Sequence, residues 1–233
     1  MLEFCMDGRW RSLVSARALG ARGRGFKSRP PDSCLWRQRL LVYLASRSAA
    51  RRRLLQKSGF DVRVVEPPDD PPPSAACDPY QTTLRAAKAK LNAVLPRLPA
   101  GAVCVAADTL VVCNGRVLGK PQNADQALAM LRLISGKRQK VITGVCVGAK
   151  GLGCVCDVAE AQCEMAVLTE AQMQRIIEEG RAVGVSGGYA IMEEGDDPFC
   201  RIITGEKSTV VGLPLQTLRR LLNELEKRRC SQA

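Results

Sequence analysis

The chain has 233 residues, enough for one ample core, and no apolar run approaches the roughly 18 residues of a membrane-spanning helix. It contains no histidine, which excludes every catalytic triad with an imidazole base, and aromatics, at 4%, are too few for the base-stacking platforms of a nucleic-acid-binding sheet. The formal charge is +12, and half of it falls on residues 1–39, where nine Lys/Arg stand against three acids.

That first segment carries Gly-Ala-Arg-Gly-Arg-Gly at 20–25 and Pro30-Pro31 and holds no sustained hydrophobic period. It is expected to be a disordered basic extension ahead of a domain spanning 40–228. A transit peptide, a nucleic-acid arm and an extension from a misassigned start are the readings open for it. Leu40–Ala45 is then a continuous apolar run of strand length, Ala49–Lys57 a helix stopped by Gly59, and Phe60–Val65 an alternating strand. Glu66 to Pro79 is a proline-rich acidic loop containing Asp69 and Asp70. Tyr80–Leu95 reads as a helix with Leu84, Ala87, Leu91 and Val94 on one face.

Strands follow at 102–107 and 109–113, with a hairpin turn at Asn114-Gly115, and a helix at Asp125–Ile134. Two long strands, 140–149 and 154–167, meet at Gly151-Leu-Gly153; a helix capped by Thr169 runs to Glu179. Short strands are expected near 189–192, 200–204 and 209–212, and a final helix carries the stripe Leu215, Leu218, Leu221, Leu222 and Leu225. Strands and helices alternate early and longer strands come later, so the class is α/β with a mixed sheet, in one bilobed domain.

Eleven cysteines are many, and several (Cys104, Cys113, Cys146, Cys154, Cys156, Cys163) lie in or beside apolar runs, where a thiol packs as a small hydrophobe. They are expected to stay reduced in a cytoplasmic protein, and the lack of any Cys-x-x-Cys pair argues against zinc.

The chemistry concentrates in three short motifs in order: Ala107-Asp108-Thr109, Gly119-Lys120-Pro121 and Thr143-Gly144-Val145. A carboxylate that can hold a metal or activate water, beside a lysine that can hold phosphate, is the minimum kit for cleaving a phosphoanhydride. Ser46 and Ser48 stand where a buried strand turns into a helix, whose free N–H groups suit phosphate, and Arg51 to Arg53 add cations. Each element also has an ordinary reading: Ser48 as an N-cap, Asp108 as a turn residue, Lys120 and Lys88 as surface lysines.

These residues resemble the Maf family. Leu44-Ala-Ser-x-Ser, Lys88-Ala89, Ala107-Asp-Thr109, Leu118-Gly-Lys-Pro121, Ser135-Gly136, Val141-Ile-Thr-Gly-Val145 and Val211-Gly-Leu-Pro-Leu215 occur in that family's order over roughly residues 40–225. The resemblance implies nucleoside triphosphate pyrophosphatase activity: a house-cleaning hydrolase that releases pyrophosphate and a nucleoside monophosphate. It also implies an elongated mixed sheet with flanking helices, a cleft between two lobes as in inosine triphosphate pyrophosphatases, a divalent cation (Mg²⁺ or Mn²⁺) and a homodimer. By the same resemblance Asp108 is the proton acceptor, Ser46, Arg51, Lys88 and Lys120 contact phosphate, and Asp108 with Asp70 holds the metal.

The chain departs from the family pattern at several places. Ser48-Ala49-Ala50-Arg51 lacks a usual Pro and Arg, Gln139 replaces a usual His, and Gly184-Val185 replaces a usual Asp-Lys. By the resemblance, the three positions tied to base specificity are Ala50, Thr109 and Met192; only Thr109 fits the branch acting on dTTP and UTP, Ala50 and Thr109 do not fit the branch acting on 7-methyl-GTP, and the base preference stays open. No membrane and no stable nucleic-acid partner is expected. The alternatives are a catalytically weakened nucleotide-binding regulator linked to cell division and, behind it, a nucleic-acid-binding protein led by the basic tail.

Overall fold

Three long strands frame the molecule, and the site sits where one of them loses its neighbour. In this computed structural model the described residues are 40–68 and 78–231, with the backbone of 2–4 and 10–12. The strands are β1 (Leu2–Phe4), β2 (Trp10–Ser12), β3 (Leu41–Ala45), β4 (Asp61–Val64), β5 (Val103–Cys113), β6 (Arg116–Leu118), β7 (Arg138–Ala149), β8 (Gly153–Met165) and β9 (Cys200–Thr204). The helices are α1 (Ala49–Lys57), α2 (Pro79–Val94), α3 (Ala124–Ile134), α4 (Glu170–Glu178), α5 (Lys207–Val211) and α6 (Leu215–Ser231).

Strands β4-β3-β5-β7-β8-β9 form one mixed sheet, with β6 beside β5. β4, β3 and β5 are parallel, and the pairs from β5 to β9 are antiparallel. One edge of β5 is paired with β7 along its whole length. On the other edge β3 covers Val103–Ala106 and β6 covers Val111–Cys113, so residues 107–110 have no strand beside them. Asp108 lies in that gap.

The first lobe is a sheet sandwiched between helices. Leu218, Leu221, Leu222 and Leu225 of α6 pack on Val42, Leu44, Val103, Val105 and Ala107. Ala87, Leu91 and Val94 of α2 cover Cys104, Ala106 and Cys146 on the opposite face. Alternation along β5 produces this division, since successive side chains point to opposite faces. The second lobe surrounds the other half of β5, β7 and β8 with Leu131 and Ile134 of α3 and Met173 and Ile176 of α4. Among the described residues no helix is long and apolar enough to cross a membrane.

Most predicted elements appear within a few residues of their expected places; five points differ. The two strands expected at 102–107 and 109–113 are one strand, because Asp108 and Thr109 keep the ladder to β7. Residues 189–192 form no strand. Of residues 209–212, expected to be a strand on their β-branched pair Val210-Val211, 209–211 instead belong to helix α5, and Gly212 caps it with φ 108°. Gly212 followed by Pro214 is a helix-stop signature. Finally, Cys146 and Cys156 stand opposite each other across β7 and β8, Cα atoms 4.1 Å apart, and form a disulfide. The expectation that all cysteines stay reduced fails there, because direct cross-strand register brings the two Cβ atoms together. Cys104 remains a thiol that burial pushes up to about 12, an inert core residue. Within residues 1–39, where no regular structure was expected, β1 pairs antiparallel with β2; residues 1, 5–9 and 13–39 lie outside the described residues.

Candidate active site

The start of α1, one face of α2 and the gap along β5 converge on a cleft of about 1010 Å³. Asp108 is on its wall, its side chain 16% exposed. Lys90 Nζ donates to its Oδ1 at 2.5 Å from a side chain only 8% exposed. Oδ2 has no protein hydrogen bond among the described residues, so one oxygen is anchored and the other is uncommitted on a residue that lines the cleft. A buried pair of this kind fixes geometry more than it stabilises, since desolvation offsets much of the attraction.

Lys90 lies on the face of α2 that packs on the sheet, with Thr83, Ala87, Leu91 and Val94. Close packing there depends on Gly144, the residue opposite Asp108 on β7. A Cβ at Gly144 would lie 2.7 Å from the carbonyl carbon and oxygen of Thr83.

Thr109 points to the other face of the sheet and joins a chain of hydrogen bonds. Thr143 Oγ1 donates to the Thr209 carbonyl at 3.0 Å, which spends its only proton. The 3.0 Å contact between Thr109 and Thr143 is therefore a donation from Thr109. Arg51 Nη2 donates to Thr109 Oγ1 at 2.9 Å, completing a line from α1 to α5. Arg51 also donates from Nε to the Gly212 carbonyl at 2.7 Å and from Nη1 to the Ala107 carbonyl at 2.9 Å and Ser46 Oγ at 3.2 Å.

Ser46 is buried, lines the cleft and accepts twice, from Arg51 and from the Ser48 N–H at 3.2 Å, which leaves its own proton available to donate. Ser48 caps α1 by accepting from the Arg51 N–H at 3.3 Å. Lys120 lines the cleft on an exposed but anchored loop. The Gly119 carbonyl accepts from Gly187 N–H at 2.9 Å and the Pro121 carbonyl from Gly184 N–H at 2.8 Å. Its ammonium has no partner among the described residues.

The segment from 181 to 200 is irregular and organised by one carboxylate. Asp197 accepts from Arg181 Nη2 at 2.6 Å, from the Tyr189 hydroxyl at 2.5 Å and from the Met192, Phe199 and Cys200 N–H groups at 2.8–3.0 Å. Burial alone would push its carboxyl up, but these donors and the Arg181 charge hold it below the usual range.

For a metal, Asp108 offers one unengaged carboxylate oxygen, and no three Asp, Glu, Cys or His side chains cluster among the described residues. That donor set fits Mg²⁺, which is bound through one or two carboxylates plus substrate phosphates, and fits no all-protein cage. Asp70, expected as the second acid, lies outside the described residues.

The sequence profile of the Maf family, described as Maf-like protein, matches residues 41–225. The chain belongs to the Maf family. A dTTP/UTP pyrophosphatase of Anaeromyxobacter dehalogenans is 40% identical over 186 residues, covering 78% of this chain and 92% of that protein. A nucleoside triphosphate pyrophosphatase of Xylella fastidiosa is 33% identical over 189 residues, covering 80% of this chain and all of that one. The Staphylococcus aureus Ham1 protein superposes at TM-score 0.43 with 13% identity over 79% of this chain and 98% of its own, too distant to add to the fold described above.

Set beside the Maf-family expectation, the residues fall into two groups. Asp108, Ser46, Ala50, Thr109 and Lys120 all line one cleft. Lys88 does not: it is exposed, because two residues along a helix turn it far from the buried face that carries Lys90. Met192 does not either; it is 43% exposed, and only its N–H is engaged, by Asp197. Glu193 takes the place beside the cleft and accepts from Arg53 at 2.6 Å. Arg51 reaches the cleft but turns its guanidinium onto Ser46, Ala107, Thr109 and Gly212. Lys90 and Asp197 escaped the sequence reading. Lys90 was legible as a lysine in register with Ala87, Leu91 and Val94; Asp197 had no local signal at all.

Proposed function

We propose that this chain hydrolyses nucleoside triphosphates to nucleoside monophosphate and pyrophosphate, removing excess or non-standard nucleotides. The observation that carries this reading is the Asp108–Lys90 pair set in a cation-lined cleft beside a helix start. The pyrophosphatase names of relatives up to 40% identical support it.

Lys90 holds Oδ1, so the free Oδ2 of Asp108 keeps one orientation and takes the proton of a water attacking the α-phosphorus. The Ser46 hydroxyl, the first N–H groups of α1 and the Lys120 ammonium receive the phosphate oxygens and the charge that grows on the leaving pyrophosphate. Arg51 is a positioning residue here, fixing Ser46 and Thr109 on either side of the β5 gap. A divalent cation would be held mainly by the substrate phosphates beside Asp108, leaving Oδ2 as the base, and would supply neutralisation of phosphate charge.

Asp108→Asn removes the base and keeps the shape. Pyrophosphate release across a panel of nucleotides with Mg²⁺ or Mn²⁺ is expected to fall by about 10²–10⁴-fold, the range for loss of a general base. Lys90 loses its carboxylate partner in this variant, so stability is expected to fall by about 2–3 kcal/mol as well, and turnover is compared well below the variant's melting temperature. Turnover equal to the parent's removes Asp108 from this role. Nucleotide binding by the parent with no turnover of any nucleotide assigns the chain to the regulatory class instead.

A further inference from the structure

One buried polar group in the cleft has no partner among the described residues, and it lies five residues along β7 from the position opposite Asp108. Gln139 lies on β7 between Cys113 of β5 and Cys163 of β8, in the second lobe, across the cleft from the start of α1. It lines the cleft, it is 5% exposed, and its Nε2 makes no hydrogen bond among the described residues. An unpaired buried amide costs about 1–3 kcal/mol, and such groups in native structures call for a specific acceptor. Its surroundings are apolar: Val111, Val141 and Met165 are buried and line the same region. The nearby Tyr189 hydroxyl is already donated to Asp197. An apolar slot with a single uncommitted amide donor suits a planar heterocycle that presents a carbonyl on its edge.

We infer that Gln139 is a specificity residue: its Nε2 donates to the carbonyl at C4 of a pyrimidine or C6 of a purine. The cleft then takes oxo-bases (uracil, thymine, guanine, hypoxanthine) ahead of the amino-bases cytosine and adenine, which cannot accept there. The inference rests on the pyrophosphatase reading for its substrate class, and its test separates the two.

The full chain, Gln139→Leu and Gln139→Glu are compared in two measurements. One is kcat/KM for pyrophosphate release from UTP, CTP, GTP and ATP with Mg²⁺; the other is calorimetric affinity for the non-hydrolysable α,β-methylene analogues of UTP and CTP. The parent is expected to prefer UTP to CTP and GTP to ATP. Gln139→Leu lowers both ratios about tenfold, through the oxo-bases alone, as loss of one buried hydrogen bond requires. Gln139→Glu, which can only accept, shifts preference towards CTP. Should Gln139→Leu fail to fold by its melting temperature, Gln139→Asn, one methylene shorter, serves the same comparison. Equal losses for all four nucleotides, ratios unchanged in every variant, or a parent with no oxo-base preference overturn the inference. If the parent releases no pyrophosphate yet the analogue ratio shifts as stated, the reaction reading fails and the role of Gln139 stands.

Discussion

Asp108 and Lys90 act as one unit, and either alone would be costly. Lys90 is almost fully buried on α2, so its ammonium is tolerated there because a carboxylate meets it at 2.5 Å. Lys90→Met leaves Asp108 without its anchor in a largely desolvated place. Breaking a fully buried pair costs about 3–5 kcal/mol, and the residual exposure of Asp108 brings the expected loss to about 2–3 kcal/mol by urea denaturation. If Asp108 is the base as proposed, turnover is expected to fall at least about a hundredfold, since its carboxylate loses its fixed orientation. Lys88→Ala, two residues away on the exposed face, is expected to change stability by no more than about 0.5 kcal/mol. If Lys88→Ala lowers turnover more than Lys90→Met does, the register assigned to α2 is wrong. The family resemblance pointed to Lys88 on this helix; the burial pattern puts Lys88 in solvent and Lys90 against Asp108.

At the level of elements, the distance between α2 and the sheet is set by a missing side chain. Gly144 faces Thr83, whose carbonyl would lie 2.7 Å from an added Cβ, and the obstacle is backbone, which cannot rotate away. Gly144→Ala must lift the first half of α2, and Lys90 moves with it. Overpacking of this kind costs about 1–3 kcal/mol, and turnover is expected to fall with it; a fold as stable as the parent, measured by thermal melting, would contradict the contact. The motif Thr143-Gly144 was legible as a unit, and the contacts give each residue its reason: Thr143 ties the sheet to α5 and Gly144 admits α2. Long strands and amphipathic helices were readable because hydrophobic period repeats over many residues. The stretch 181–200 was not, because its shape comes from five donors converging on Asp197 rather than from any local pattern. α5 was misread for a related reason: two valines outweighed the Gly212 and Pro214 stop signals in so short a run.

In the whole molecule, β5, β7 and β8 run through both lobes, and the break in pairing along β5 opens the cleft between them. That geometry collects charge which the linear sequence scatters. Arg47, Arg51 and Arg53 arrive from the start of α1, Lys90 from α2 and Lys120 from the loop after β6, against the acids Asp108 and Glu193 among the described residues. In the sequence half of the net positive charge is concentrated in residues 1–39 and the rest is spread thinly; the fold gathers part of that remainder into a cationic focus within the domain. Such a focus draws a polyanionic substrate by long-range attraction, which salt screens as the Debye length shrinks from about 10 Å at 0.1 M to about 3 Å at 1 M. Accordingly, kcat/KM for a nucleoside triphosphate is expected to fall several-fold over that range while kcat at saturation changes little. Removing residues 1–39 leaves the dependence in place if the attraction resides in the cleft, and abolishes it if the tail supplies the field. Stopped-flow or initial-rate measurements on both forms across the salt series decide between the two.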